Sequence, residues 1–201
     1  NWTGLRMFAG REIPPGDPRR ARVQRSFARN AEAIVKAGVR SGAHVVLSSV
    51  AVNLRDCAPF ASLHADPLPE DARRDWERLY EAAVAATEAG EVAAARSNLL
   101  QAVALSPAHA GAQFRLAELE LAAGAGAAAG QRFARARDCD AMPFRADSEA
   151  NAMLRDLATR LAGAGVEWLD AAAELGREQP GEVPGAETFF EHVHFTFDGN
   201  Y

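Results

Sequence analysis

The stretch FFEHVHFTFDGNY, residues 189–201, packs Glu191, His192 and His194 into four positions between an aromatic pair and the turn-forming Asp198-Gly199. A carboxylate three residues before an imidazole, on a tight loop, can fold back onto the ring. It then fixes the ring tautomer and stabilises the cation, as general-base chemistry requires. A metal site is the rival reading, because His192 and His194 on extended backbone project to one face and Glu191 or Asp198 could complete a ligand set. A polar loop without chemistry is the third. His44, His64 and His109 occur singly, and Cys57 and Cys139 lie far apart without Cys-x-x-Cys spacing. They form neither a zinc cluster nor a disulfide framework, so no metal and no cofactor is expected and both cysteines are read as free thiols.

What holds such a loop must be sought upstream. The 201 residues suffice for one substantial core with an appended module. Hydrophobic residues make up 48% and charged residues 24%, which excludes a disordered chain. A net charge of −5, with Arg scattered among acids, gives no nucleic-acid footprint and no affinity for an anionic membrane. No apolar run reaches spanning length. The chain opens on Asn1 without a Met or a signal peptide and is expected to be a fragment, of cytoplasmic or periplasmic origin.

From about Arg19 to Ala37, Val23, Phe27, Ala31, Ile34 and Val35 recur at helical spacing, and Gly38 and Gly42 stop the helix. HVVLSSV follows, a charge-free β-branched run of the kind buried on both faces of a parallel sheet. A second pair lies downstream: Ser148 to Leu161 is amphipathic, and VEWLDA reads as another strand. Alternation of this kind predicts an α/β domain with a flavodoxin-like, three-layer parallel sheet, in which Val45, Val46, Leu47 and Leu169 are buried.

Between the pairs, residues 70–141 are Ala-rich and helical, and they match themselves when shifted by ~34 residues. Gly90 falls on Gly124, Ala95 on Ala129, Leu99 on Phe133, Ala102 on Ala136 and Leu105 on Cys139. Each copy reads helix, Gly turn, helix. Small Ala residues let antiparallel helices approach closely, and Trp76, Leu99, Leu116 and Phe133 are expected in their core. The segment resembles two tetratricopeptide repeats; an unrelated pair of Ala-rich hairpins is the alternative. The resulting division is 1–69, 70–141 and 142–201, with the middle segment inserted.

Open parallel sheets collect function on loops beyond the carboxyl ends of their strands. SSVAVNLRDCAPFASLH follows one strand, and the Glu-x-x-His loop follows the other, so Asn53 or Arg55 is expected near His194. Glu191-His192-Val193-His194 followed by FTFDGN resembles the closing block of the SGNH (GDSL-type) hydrolases. VAVNLRDCAPFASLH and FRADSEANAMLR resemble a bacterial branch in which that domain carries tetratricopeptide repeats. The resemblance covers essentially the whole chain, and it implies only the later part of such a domain. No Gly-Asp-Ser is present to supply the nucleophile or the oxyanion hole, and Glu191 stands where the family has Asp.

The resemblance implies ester hydrolysis or acyl transfer, on an ester-type small molecule or glycan, with a protein partner on the repeats. His194 would be the base and Glu191 its orienting acid. His192, Asn53 and Arg55 would stand behind them or touch substrate. Arg145 would be either part of a helix start capped by Asp147 or Ser148, or a clamp for an anionic group. Two alternatives stay open: a binding scaffold without catalysis, and a metal-dependent hydrolase using His192 and His194.

Overall fold

The computed structural model describes residues 7–8 and 10–200. In chain order they form α1 (Pro18–Arg40), β1 (Val45–Ser48), α2 (Glu70–Glu88), α3 (Val92–Leu105), α4 (Ala110–Ala122), α5 (Gly126–Asp138), α6 (Ser148–Leu161), β2 (Val166–Leu169) and α7 (Ala171–Gly176). They divide into two compact units. One is Ala58–Phe144 with the described part of Asn1–Asp17; the other is Pro18–Cys57 with Arg145–Tyr201.

The first unit is all helix and loop. α2 starts behind Pro69 with Glu70 and Asp71 in its first turn, where negative charge complements the helix dipole. It lays Trp76, Leu79 and Ala83 against Leu99 and Ala102 of α3 and Ala112 and Leu116 of α4. The α2–α3 and α4–α5 connections are the same turn repeated. Gly90, at φ +75°, donates to the Thr87 carbonyl, and Glu91 to that of Ala86. Gly124, at φ +79°, donates to Leu121, and Ala125 to Glu120. This is the Schellman closure, and only glycine takes the left-handed position without a Cβ penalty. The matched Ala95 and Ala129, Leu99 and Phe133, and Ala102 and Ala136 are all buried. Leu105 and Cys139 diverge: Leu105 is exposed and Cys139 is buried.

This unit extends beyond its helices at both ends because a buried carboxylate ties them together. Asp140 accepts from the amides of Phe60 (2.8 Å), Ala61 (3.0 Å) and Met142 (3.0 Å). The Ala141 amide also donates to the Ala61 carbonyl at 2.9 Å. Residues 58–69 therefore belong to the helical unit rather than to the flank that precedes it in sequence.

The second unit overturns the expected three-layer α/β sheet. The described residues are mostly helical, and the one sheet among them has two parallel strands, Val45 opposite Val166 through Ser48 opposite Leu169. Val45, Leu47, Val166 and Trp168 pack with Val35 of α1 and with Leu157 and Ala158 of α6. The opposite face carries Val46 and Leu169, 56% and 47% exposed, where the sequence predicts burial. Two layers form, not three. An uninterrupted apolar run records a strand, but it does not record how many neighbours that strand has or whether both its faces are covered. Among the described residues no helix is long and apolar enough to cross a membrane.

Candidate functional site

The chain beyond β1 is fixed at each step within the second unit. Ser49 donates its hydroxyl to Asp170 (2.9 Å) and accepts from the Ala172 amide (2.9 Å). Asn151 of α6 brackets Val50, accepting from its amide at 2.8 Å and donating to its carbonyl at 3.2 Å. The buried Asn53 then donates its backbone N–H to the His192 carbonyl at 3.0 Å, while its side chain caps the Asp56 amide at 2.9 Å. The loops after β1 and β2 thus meet, and Asn53 touches the Glu-x-x-His segment through backbone.

That segment is a short hairpin. Phe189 and Phe195 form an antiparallel bridge with stacked rings 4.9 Å apart, and the Phe190 amide donates to the His194 carbonyl at 2.9 Å. Alternation buries Phe189 and turns Phe190 and Phe197 outward, so only part of the aromatic stripe anchors the loop. The hairpin closes on Thr196, whose amide donates to the Thr188 carbonyl and whose hydroxyl accepts from the Gly199 amide, both at 2.9 Å. A Cβ on Gly199 would lie 2.3 Å from the Thr188 carbonyl oxygen, so glycine is required by close approach. An open cleft of about 500 Å³ runs beside the hairpin, with Glu187, Thr188, Asp198 and Gly199 on its wall. Glu191 and His194 are not part of that wall.

Glu191 sits at the hairpin tip and folds back. Its Oε1 accepts from the His194 amide (2.7 Å), the Val193 amide (3.2 Å) and His194 Nδ1 (2.5 Å). Its Oε2 contacts Nδ1 of His192. Desolvation raises the Glu191 pKa, but the His194 and His192 amides, the His194 ring and the Val193 amide outweigh it and bring it down to about 2. The carboxylate is thus a fixed anion. With Nδ1 turned toward Glu191, His194 leaves Nε2 for another partner on a side chain that is 79% exposed, against 26% for His192. Both imidazoles meet the carboxylate through Nδ1, as orienting hydrogen bonds do. Among the described residues no group of three or more His, Cys, Asp or Glu could hold a metal ion.

The other candidates are engaged with backbone and side chains of the two loops. Arg55 pairs with Asp56 and Glu187 and lies against Gly185, joining the two loops. Arg145 is buried, and its Nη1 donates to the carbonyls of Asn53 (2.9 Å) and Cys57 (2.7 Å). Asp147 caps α6 by accepting from the Ala150 amide at 2.8 Å. Sequence reasoning missed Asn151 and Asp170, which hold the loop from a helix face and a strand end; nothing in their spacing marks them.

Glu191 also makes a pH prediction. A depressed folded pKa contributes stability that is complete above the ordinary Glu value of 4.5 and is lost as pH falls through about 2. The Val193 and His194 amide resonances should therefore keep their hydrogen-bonded positions at about pH 3.5, and the Glu191 carboxyl carbon should titrate near 2. A carboxyl titration at the ordinary value would show that the hairpin does not hold the anion.

Compared with protein-family models, with curated proteins and with solved structures, the chain gives no significant match.

Proposed function

We propose that Glu191 and His194 are the acid–base pair of a Ser-dependent ester hydrolase or acyl transferase resembling the SGNH type. The observation that carries this reading is the 2.5 Å contact between Glu191 Oε1 and His194 Nδ1, on a ring whose Nε2 faces outward. In the reaction, Nε2 removes the proton of a Ser hydroxyl as the oxygen attacks the ester carbonyl. The imidazolium, held by Glu191, then gives that proton to the departing alkoxide. Water repeats the cycle on the acyl-enzyme, or an acceptor hydroxyl does so in transfer.

Among the described residues no hydroxyl bonds His194. Ser48 and Ser49 are engaged at the end of β1, and Ser62 accepts from the Gly111 amide. The reading therefore requires a nucleophile from outside the described residues. We assign to the helical unit the docking of a protein partner, on the strength of its repeated turn, which a tetratricopeptide-like pair of hairpins would show.

The test is a fluorophosphonate probe applied to the complete natural protein, followed by peptide mapping. Labelling of one Ser, lost in His194→Ala, is the expected result. Absence of labelling together with ester turnover that a chelator abolishes and zinc restores would replace this reading with the metal-dependent one.

A further inference from the structure

The N-cap of α4 is His109, where Ser, Thr, Asp or Asn would be usual. The imidazole does the same work through a lone pair: His109 Nδ1 accepts from the Ala112 amide at 3.2 Å. That nitrogen carries no proton, so the ring is neutral with its hydrogen on Nε2. Protonation would turn the acceptor into a donor aimed at the amides of a helix N-terminus, and would set a positive charge at the positive end of the dipole.

A second imidazole lies beside it. His64 is joined to the Ser106 hydroxyl through Nδ1 at 2.8 Å, and the two His rings are 5.3 Å apart. Both pack on Trp76, at 4.7 and 4.4 Å between centroids. The Trp76 indole N–H is itself buried without a partner, so the pocket offers little polar compensation for new charge. The Ser62 hydroxyl accepts from the Gly111 amide at 2.9 Å, and the Ser62 and His64 hydrogen bonds together seat this segment on the first turn of α4 and the end of α3.

We propose that His64 and His109 form an acid-sensitive latch, which holds the 62–66 segment and the first turn of α4 closed over Trp76 and Tyr80 at neutral pH and opens when the two rings become charged. The charged groups facing the pair are few. On α2, Glu77 favours a charged His64, but it is already bonded to Arg73 at 2.6 Å. On α4, Arg115 bonds the Tyr80 hydroxyl at 3.1 Å and adds positive charge. The end of α3 contributes the neutral Ser106. Burial pushes the His109 pKa down to about 4, with the neighbouring His64 lowering it further, and burial also lowers His64 against the pull of Glu77.

The closed form binds fewer protons than the open form, so closure is fully favoured above the ordinary value of 6.5 and is lost as pH falls toward 4. Upstream, the amides of Phe60 and Ala61 stay held by Asp140, which confines the opening to the residues after them. What opens is the stacked Trp76–Tyr80 surface of α2, ring centroids 4.9 Å apart.

Amide exchange measured by NMR on the whole chain, corrected for the intrinsic pH dependence, tests the latch. Protection of the Gly111 and Ala112 amides should fall about 100-fold between pH 7 and pH 4.5, the factor set by the His109 shift with a contribution from His64. Amides of α5 should hold. In His109→Asn, which keeps an oxygen acceptor at the cap, the drop should shrink at least about tenfold. An undiminished drop in that variant, flat protection in the natural protein, or an equal loss in α5 would each overturn the proposal. Should the variant fail to fold, the His109 ring titration in the natural protein decides: a midpoint near 6.5 overturns the latch, and one near 4 supports it.

Discussion

His194→Ala is expected to lower kcat on short acyl esters by roughly 10⁴-fold in the complete natural protein, while His192→Ala costs less than about tenfold. Both rings touch Glu191, so contact with the acid does not separate them. Exposure and backbone position do. His194 directs an outward ring from the hairpin edge, whereas His192 is mostly covered and its carbonyl receives the Asn53 amide. Loss of the His192 side chain leaves that backbone bond in place, and leaves Oε1 of Glu191 with its two amides and the His194 ring. Loss of His194 removes the more exposed of the two rings that Glu191 contacts. Burst kinetics would distinguish the two further, because a missing base slows acylation and deacylation alike. Equal loss in both variants would refute the assignment of distinct roles.

Legibility of the fold in the sequence differed between its two halves for a physical reason. The helical unit repeats its own solution, so Gly90 on Gly124 and Leu99 on Phe133 could be matched without knowing anything outside the segment. Helix periodicity likewise marked α1 and α6 as helices, but not the core face of α1, where Val35 is buried while Val23, Phe27 and Ile34 are exposed. The sheet was over-read, because β-branched residues in HVVLSSV report local backbone preference. Whether Val46 meets a covering layer is decided by chain elsewhere. At the site, Glu191 and His194 could be paired because a three-residue fold-back is local. The roles of Arg145 and Asn151 were hidden, since each holds a carbonyl or amide some ninety to a hundred residues away in sequence, as Arg145 does with Asn53 and Asn151 with Val50. The capping role of His109 is hidden in the sequence for a related reason. Its acceptor role depends on a tautomer, and residue type alone does not specify one.

Asp140→Ala is expected to destabilise the helical unit by about 4 kcal/mol, more than most single changes in this chain. Asp140 is 1% exposed and accepts from three backbone amides, one oxygen serving Ala61 and Met142 and the other Phe60. Hydrogen bonds to a charged acceptor contribute ~1.5–3 kcal/mol each, and truncation strands three donors at a buried position. The loss should be read in urea by the fluorescence of the buried Trp76, whose core α2 shares with α3 and α4. Asp140→Asn supplies the control. Its amide oxygen can keep the Ala61 and Met142 bonds, while its NH2 group faces the Phe60 donor, so about half the loss is expected. Near-equal losses in the two variants would show that charge rather than acceptor count holds the loop. A small loss in Asp140→Ala would show that residues 58–61 are not fastened through this carboxylate, and would remove the fixed end on which the His64–His109 latch turns.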